Sequence, residues 1–596
     1  MLEPRKSASL NLLLKGLCAE VAGRELSPSE LSVYQVRKVS CGVTRLIRCP
    51  DGIDRHLDLL ITVSFPNTLP LVAIRDPSLY LVWPHVESDG VMCLPSAGKS
   101  FNDDDMLRQA LGVFREALEL VQNMASEPWI TVEFRKEFVT YWGHHARHIA
   151  HAIKAKISPV KQSCMLPYTT IGREIYISDT DASLREFVQR MKGPVIHKLV
   201  IRNALLVKLP DAPIPSDMPT TAKEAENIIL RYAAELKQEL GTYLKSNSDL
   251  LMLVQVPLEK NISYGGLWIP KNPPPTLRRK SRHNLNGFRL GREPENLLWN
   301  QFFSPSKLLT YLSLDRFDDV VVRSRADQLP RSNSLDAYHV ALVGCGSVGS
   351  SIASILAQSG VGHLTLVDPD VLVSGNLSRH ELGAPSVGNP KAVDLAQRLK
   401  RDRPQLQSVT PIVKHVEKLS EKYWEQVMEA DLVLFAIGQT GLENYAADAL
   451  WKKGFTGIIG HAWLEPFASV GHLLMCVKNG VSRRQLTGSL GDPLEPVTCW
   501  DDVDVERKGG ECGGSFQPYG AAALGRSVAM MSAGIIDILL DPPAITSEMI
   551  ITGTTAEVER HGGAWSVDWL AKTSGKVSGR QFTQSHKVSL ALVSGE

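Results

Sequence analysis

The sequence predicts a multidomain fold with an N-terminal α+β domain, a mixed α/β middle region and a C-terminal α/β, Rossmann-like domain. The chain has 596 residues, which is too long for one hydrophobic core. Strand-like runs in its first part lie between helical stretches, and a strand–helix–strand pattern begins near residue 337. We therefore predict domains at residues 1–157, 158–330 and 331–596.

The N-terminal region has its elements in the order of an α+β domain. A helix-like start precedes the strand-like residues 57–64 and a proline-marked segment over residues 66–84. A later stretch predicts an amphipathic helix, because apolar residues recur there at helical spacing: Leu107, Leu111, Phe114, Leu118 and Val121.

The other two regions differ from each other in regularity. In the middle region, residues 222–244 predict a helix and residues 250–256 a strand, which favours a small folded spacer domain. In the C-terminal region, residues 340–343 and 364–367 flank a helical stretch, and residues 432–436 predict a third buried strand. This alternation is typical of a parallel sheet.

The composition excludes several classes of protein. Hydrophobic residues make up 43% and charged residues 22%, as in soluble proteins, and the net charge of +1 does not indicate nucleic-acid or membrane-surface binding. Residues 1–23 predict an amphipathic helix, and residues 521–540, interrupted by Arg526 and Asp537, predict a buried helix. We expect a cytoplasmic protein. The nine cysteines form no CxxC pair, so a functional cysteine is expected to act as a thiolate.

A glycine-rich loop predicts a nucleotide site. Gly344, Gly346 and Gly349 follow a hydrophobic strand and open a helix, which lets the backbone and the helix N-terminus approach phosphates. Asp368 ends the next strand, where a carboxylate can bind ribose hydroxyls. A nicotinamide-dependent oxidoreductase would show the same pattern.

The residues after this loop favour adenylation over hydride transfer. The chain reads N-L-S-R-H at 376–380 and V-G-N-P-K-A at 387–392, and cationic side chains near a phosphate loop suit adenylyl transfer. These motifs resemble the ubiquitin-activating enzymes and their bacterial ThiF-type relatives, although His380 replaces a glutamine. The resemblance implies ATP and Mg²⁺ as cofactors, a homodimer, ribose binding by Asp368, and phosphate binding by Asn376, Arg379 and Lys391.

One position departs from that family. Its third strand normally ends in D-A-T-D-N, with the second aspartate near magnesium, whereas this chain reads F-A-I-G-Q at 435–439. Gly438 therefore stands in place of the metal-associated carboxylate. Glu443 is either a substitute for it or a surface residue of the next helix, and no metal ligand is assigned.

Two cysteines lie where activating enzymes carry a catalytic thiol. Cys512 is preferred because glycines follow it and an apolar helix begins just after, and a helix N-terminus lowers a thiol pKa. Cys499 is the alternative. Either residue can instead be a small buried hydrophobe.

The N-terminal region contains a third candidate cysteine. The chain reads W-P-H-V-E-S-D-G-V-M-C-L at 83–94, which resembles the ubiquitin-conjugating pattern H-P-N-I-x-x-x-G-x-I-C-L. Pro84, Gly90, Cys93 and Leu94 coincide with that pattern, which implies that Cys93 carries a thioester. His85 replaces an asparagine that holds the loop or donates to the oxyanion; His85 either supplies that hydrogen bond or is structural.

Together the two resemblances indicate one reaction sequence. The chain resembles bacterial fusions of activating and conjugating domains in antiphage defence, in particular the CD-NTase-associated protein 2 family of CBASS systems. That family implies adenylation of the C-terminal carboxylate of a cGAS-like nucleotidyltransferase, thioester relay from Cys512 to Cys93, and transfer to the amine of a target protein.

Three alternatives remain open at this point. A sulfur-carrier-protein adenylyltransferase would explain the C-terminal half and leave Cys93 unused. A non-catalytic, nucleotide-binding scaffold would explain the missing aspartate at Gly438. A nicotinamide-dependent oxidoreductase would explain only the glycine loop.

Overall fold

The computed structural model describes residues 4–65, 67–95, 106–146, 152–193, 199–246, 249–259, 261–270, 284–285, 288–289, 295–322, 332–489, 491–501, 503–508, 515–572 and 584–589. The chain divides into two compact units. The first unit comprises Met1–Leu184 and Lys198–Asp315, and the second comprises Arg185–His197 and Arg316–Glu596. The predicted domain boundaries at residues 157 and 330 stay predictions.

The first unit begins with an antiparallel sheet of four strands in sequential order. The strands are β1 (Arg24–Glu25), β2 (Val39–Arg48), β3 (Asp54–Thr62) and β4 (Leu71–Ile74), and the helices are α1 (Pro4–Glu20), α2 (Pro28–Ser32), α3 (Met106–Asn123), α4 (Glu127–Lys136) and α5 (Phe138–Ala146). Both faces of β3 are buried, since Leu57 and Leu59 pack in the main core while Leu60 packs with Tyr34 on the other side. The predicted α+β order is observed here, and α3 buries Phe114 and Val121 as its spacing predicts.

The first unit also contains a closed barrel of seven strands, in the order β10-β13-β5-β7-β6-β8-β9. Its strands are β5 (Ala152–Lys156), β6 (Cys164–Ile171), β7 (Glu174–Ser178), β8 (Arg202–Lys208), β9 (Leu250–Leu258), β10 (Asn261–Ile269) and β13 (Thr310–Arg316). Further elements of this unit are α7 (Ala222–Tyr232), α8 (Lys237–Ser246), α9 (Glu295–Phe302), β11 (Asn284–Leu285) and β12 (Phe288–Arg289). Helix α6 (Asp181–Lys192) also lies in this part of the sequence, but its residues from Arg185 onward belong to the second unit. The barrel, which the sequence did not predict, encloses its own apolar cluster.

The second unit is built on an eight-stranded sheet in the order β16-β15-β14-β17-β18-β19-β23-β25. Its strands are β14 (His339–Val343), β15 (His363–Val367), β16 (Ser408–Ile412), β17 (Leu432–Phe435), β18 (Ile458–Leu464), β19 (Val470–Cys476), β20 (Thr498–Cys499), β21 (Arg507–Lys508), β22 (Ser515–Phe516), β23 (Ser547–Thr552), β24 (Ala564–Trp565) and β25 (Gln584–Ser589). Its helices are α10 (Asp319–Val322), α11 (Ser347–Ser359), α12 (Lys391–Asp402), α13 (Glu421–Met428), α14 (Thr440–Lys452), α15 (Ala521–Leu540), α16 (Thr555–Arg560) and α17 (Val567–Lys572).

The sheet of the second unit has two halves. Strands β16, β15, β14, β17 and β18 pair in parallel, as the predicted α/β alternation requires, whereas β19, β23 and β25 continue the sheet antiparallel. Helix α15 is long and apolar enough to cross a membrane, and half of that apolar window is buried within the protein. Leu524, Val528 and Met531 of α15 pack in the main core of this unit.

Candidate functional site

The three glycines of the loop after β14 differ in their backbone conformation and in the space around them. Gly344 has a φ of +103°, and a Cβ there would press against the Ala436 carbonyl, so only glycine fits. A Cβ at Gly349 would overlap the carbonyl oxygen of Gly344. Gly346 precedes α11, and the space around its Cβ position is open. Gly344 and Gly349 therefore shape the loop, while Gly346 presents backbone to the space above the helix N-terminus.

Asp368, predicted to bind ribose, lies at the end of β15 and is buried. Its carboxylate accepts hydrogen bonds from the backbone N–H of Cys345 at 2.6 Å and of Asp370 at 2.8 Å. Burial raises the pKa of this carboxyl despite both hydrogen bonds. In the structure this side chain fixes the glycine loop, and its ribose contact stays a prediction.

His380, noted in the sequence only as a departure from glutamine, also holds the glycine loop. One ring nitrogen, Nδ1, accepts from the Leu382 N–H at 3.0 Å, so the other, Nε2, donates to the Cys345 carbonyl at 2.7 Å. Burial lowers the pKa of this histidine. The neutral ring is therefore a structural clamp on the loop.

The predicted phosphate-binding residues separate into two groups. Arg379 lines the cleft described below; it donates to the Gln517 carbonyl at 2.9 Å and lies 4.5 Å from the Tyr519 ring centre. Lys391 begins α12 and pairs with Asp370 at 2.9 Å, outside the residues that line the cleft. Asn376 accepts from the backbone N–H of Val373 at 3.2 Å. Of these three residues, only Arg379 lines the same cleft as Gly346.

Glu443 is not a surface residue, which corrects one of the two sequence interpretations. It is fully buried on α14, and one of its oxygens accepts from the N–H groups of Ile437 and Gly438, each at 3.0 Å. Its other oxygen pairs with Arg483 and lies 3.1 Å from Nδ1 of His461. Burial lowers the pKa of Arg483 to about 10, so this guanidinium is still charged at neutral pH.

These contacts decide whether a magnesium ion fits beside Gly438. Both Glu443 oxygens are occupied by the guanidinium, the imidazole and two backbone N–H groups, so neither is free for a metal. Among the described residues, no group of three or more histidine, cysteine or acidic side chains is placed to hold a metal ion. This strand end does not fit a metal-binding carboxylate.

A cleft of about 990 Å³ joins the glycine loop to the antiparallel half of the sheet. Gly346, Arg379 and Gly438 line one end of it, and Trp463, His472 and Ile550 line its floor. The volume is at the upper end of the usual range for ligand clefts, about 300–1,000 Å³. Space is therefore available for a nucleotide and for a second group beside it.

The floor of the cleft contains a buried ionic cluster that the sequence analysis missed. His472 lies between Glu548, 2.8 Å from Nδ1, and Glu465, 3.1 Å from Nε2. Burial alone would lower the pKa of His472, but the two carboxylates raise it to about 9. Its ring stacks on Trp463 with centroids 4.6 Å apart. No local motif marks this cluster, because His472 and Glu548 are 76 positions apart.

The two cysteine candidates of the C-terminal region differ in what can be said of them. Cys512 lies outside the described residues. Cys499 is half-buried on β20, and burial, Asp501 and Glu465 raise the pKa of its thiol. An acidic setting of this kind disfavours the thiolate.

Cys93 is exposed and lies on a loop pinned to the sheet edge. Its backbone N–H donates to the His85 carbonyl at 2.8 Å, and Gly90, with a φ of +80°, packs against the Ile74 carbonyl. The sulfur lies 3.8 Å from a carboxylate oxygen of Glu87, which also pairs with Arg37. Partial desolvation and Glu87 raise the pKa of the thiol, so the free residue is not an activated thiolate.

The His85 ring lies between two carboxylates at the C-terminal end of α4. Its Nε2 lies 3.2 Å from Glu133 of α4, and its Nδ1 lies 3.4 Å from Glu137, the residue that caps the C-terminus of α4. The backbone has a φ of +62°, and its N–H donates to the Tyr141 hydroxyl at 2.8 Å. Since both ring nitrogens face carboxylates, the geometry favours the structural role for His85 and gives its carbonyl the direct contact with Cys93.

Comparison with known proteins supports both resemblances predicted from the sequence. Residues 325–480 match the ThiF family, and residues 19–150 match prokaryotic E2 family B. The chain is 24% identical to an ATP-dependent ubiquitin transferase-like protein Cap2 from Pseudomonas aeruginosa, over 76% of this chain and 80% of that protein. It is 23% identical to a protein of the same name from Vibrio cholerae, over 57% of this chain and 54% of that protein. The predicted resemblance to fused activating-like and conjugating-like domains is thus confirmed.

The chain is also similar to solved structures. One match is a crystal structure of E. coli MccB with AMPCPP and MccA, which is 16% identical in sequence to this chain. The match covers 44% of this chain and 67% of MccB, with a TM-score of 0.27.

Proposed function

We propose that this chain uses ATP to activate the C-terminal carboxylate of a protein, passes the acyl group through thioesters on Cys512 and Cys93, and transfers it to an amine. The combination of a ThiF-type region and an E2-type region in one chain supports this sequence of steps. Its first substrate to test is the C-terminus of a cGAS-like nucleotidyltransferase, as the resemblance to CBASS fusions implies. A homodimer through the C-terminal domain is part of the proposal.

The observation that carries the proposal is the cleft that continues from Gly346 and Arg379 along the sheet floor. The open backbone at the N-terminus of α11 suits phosphate oxygens, and the Arg379 guanidinium suits negative charge that develops beside them. The rest of the cleft has room for the acyl group. A carboxylate oxygen placed there attacks the α-phosphorus, and pyrophosphate leaves.

The later steps use thiols. A thiolate attacks the acyl carbon and displaces AMP, which gives the first thioester; a second thiolate then displaces the first, and an amine finally displaces the second. Cys93 suits the last position because it is exposed at the surface of a rigid loop. Cys499, which is half-buried on β20, is the alternative for the first position. ATP brings its own Mg²⁺ in solution, and no step here is assigned to a protein-bound metal.

The decisive experiment follows thioesters by cysteine. The chain, ATP and a purified cGAS-like nucleotidyltransferase are mixed, and adducts are separated with and without reductant. We expect reductant-sensitive adducts on Cys512 and Cys93, no adduct in Cys512→Ala, and an adduct on Cys512 alone in Cys93→Ala. Cys499→Ala is the matched control and should behave like the unaltered chain.

Each contrary outcome identifies an alternative. Unchanged turnover in Cys93→Ala would support a sulfur-carrier-type adenylyltransferase. Absence of ATP–pyrophosphate exchange with a substrate that binds would support a nucleotide-binding scaffold. Normal loading of Cys93 in Cys512→Ala would show that the relay order is wrong.

A further inference from the structure

Glu87 and Cys93 lie on the two arms of one tight hairpin. Val86 and Met92 pair there in an antiparallel bridge, and both side chains are buried in the main core of the first unit. Successive side chains point to opposite faces of an extended chain, so Glu87 and Cys93, each next to one of these core residues, face away from that core. Gly90 closes the turn, and its N–H donates to the Glu87 carbonyl at 2.9 Å. The hairpin therefore places a carboxylate beside the exposed thiol.

The Glu87 carboxylate is oriented by Arg37. One of its oxygens, Oε2, accepts a hydrogen bond from the Arg37 guanidinium at 2.7 Å. The same guanidinium donates to both oxygens of Asp89, at 2.7 and 3.2 Å, so a second carboxylate holds it in place. Charge-assisted hydrogen bonds of this kind fix the geometry of the groups that they join. Glu87 thus keeps its other oxygen, Oε1, beside Cys93.

That second oxygen accepts from the thiol. The Cys93 S–H donates to Oε1 of Glu87, with 3.8 Å between sulfur and oxygen. A thioester has no S–H, so acylation of Cys93 removes this donor and frees Oε1 next to the acyl sulfur. Both residues are reachable from solvent, because Cys93 is exposed and the Glu87 side chain is 30% exposed. An amine that attacks the thioester can therefore donate an N–H to the freed oxygen.

The other groups around the sulfur have different parts. The ring nitrogens of His85 lie 3.2 Å from Glu133 and 3.4 Å from Glu137, and its contact with Cys93 is made by the backbone carbonyl. The imidazole is thus engaged by carboxylates. Desolvation and the charges of Glu87 and Glu137 raise the pKa of the Cys93 thiol, so the sulfur readily takes up a proton once it leaves the acyl group.

We infer that Glu87 is the proton-transfer residue of the last acyl step, on the thioester of Cys93. The amine nitrogen attacks the acyl carbon, and as the C–N bond forms, one N–H proton passes to Oε1 of Glu87. The C–S bond then breaks, its electron pair stays on sulfur, and Glu87 gives the proton to the Cys93 thiolate. The products are an amide, the free thiol and the restored carboxylate. This inference rests on the proposed transfer from Cys93 to an amine.

The test loads Cys93 without ATP, so it does not depend on adenylation. The full chain carrying Cys512→Ala is acylated with the thiophenyl ester of N-acetylglycine, and excess reagent is removed. Loss of the acyl group from the Cys93 peptide is then followed by mass spectrometry after addition of Nα-acetyl-lysine. We expect Glu87→Gln to slow the lysine-dependent loss about 10²-fold, as removal of a positioned general base does. Glu87→Asp, which keeps a carboxylate on a shorter side chain, should give an intermediate rate.

Glu119→Gln, an exposed carboxylate on α3, is the matched control and should stay within about threefold of the parent rate. The free thiol reports on the hairpin itself: iodoacetamide should label Cys93 faster in Glu87→Gln, because a negative charge is lost, while aminolysis slows. Unchanged aminolysis in Glu87→Gln, an equal loss in Glu119→Gln, or a fall in both labelling and aminolysis would overturn the inference. If the chemically loaded chain behaves as expected but ATP and a substrate protein never load Cys93, the proposed adenylation and relay fail instead.

Discussion

The cleft of the second unit and the Cys93 loop of the first present opposite electrostatic designs. In the cleft, buried cations and carboxylates are matched: Arg483 with Glu443, and His472 with Glu465 and Glu548. Around Cys93, the acidic Glu87 lies beside an exposed thiol and raises its pKa. A fixed charge pattern suits the adenylation proposed for the cleft, whereas the raised pKa of the Cys93 thiol makes it a weak nucleophile in the free protein.

The largest expected difference between the regions is in stability. Glu443→Gln removes the carboxylate that neutralises buried Arg483, and breaking a buried pair from one side costs about 3–5 kcal/mol. Glu133→Gln, which removes a partly exposed carboxylate beside His85, should cost about 1 kcal/mol or less. Urea unfolding followed by Trp fluorescence measures both. If the two variants lost a similar free energy of unfolding, the two regions would not differ in how strongly they depend on paired charges.

The next effect is on adenylation. Arg379→Ala removes the one predicted phosphate-binding cation that lines the cleft, and loss of a group that stabilises developing charge lowers the rate about 10²–10³-fold. ATP–pyrophosphate exchange with the activated substrate gives this rate. Arg398→Ala, on α12, is the control and should retain it. Exchange in Arg379→Ala within threefold of the unaltered chain would remove Arg379 from the proposed chemistry.

The cleft should also show a pH dependence of stability. The carboxylates raise the pKa of His472 from an ordinary value near 6.5 to about 9 in the folded protein. Its stabilisation is therefore fully present below pH 6.5 and is lost as the pH rises through 9, by up to about 3 kcal/mol. The free energy of unfolding is measured from pH 6 to pH 10 for the unaltered chain and for His472→Gln. The difference between the two should shrink as the pH rises, because the unaltered chain loses the contribution of His472. If the free energy of unfolding of His472→Gln depended on pH as steeply as that of the unaltered chain, His472 would not be the group that titrates.

The smallest effect concerns the Cys93 thiol. Glu87→Gln removes the negative charge nearest the sulfur while Arg37 remains, so the pKa of the thiol should fall and alkylation at pH 8 should accelerate, by roughly two- to fivefold. Iodoacetamide labelling of Cys93, read by mass spectrometry, measures the rate. Glu20→Gln, on α1, serves as the control. Slower labelling in Glu87→Gln would show that Glu87 does not hold the thiol protonated.

Short motifs made much of the fold and part of the candidate site predictable. The glycine loop and the segment from Trp83 to Leu94 each combine residues within about a dozen positions, so their chemistry is visible without tertiary contacts. The parallel strands were predictable for the same reason, since hydrophobic runs and glycine turns are local. The barrel escaped prediction because its closure depends on non-local pairing: β5 pairs with β7 across the intervening β6, and the parallel strands β8 and β9 are separated by α7 and α8.

Sequence alone therefore identified the glycine loop and the loop that carries Cys93, because the residues of each loop lie close together in the chain. Tertiary structure decided what each side chain does there. In the folded protein, Asp368 and His380 form hydrogen bonds to the backbone of the glycine loop, and Glu443 forms an ion pair with Arg483. His472 lies between the carboxylates of Glu465 and Glu548. The physical reason is that burial and charge pairing depend on neighbours brought together by the sheet, and residues tens of positions apart carry no local signal of that contact.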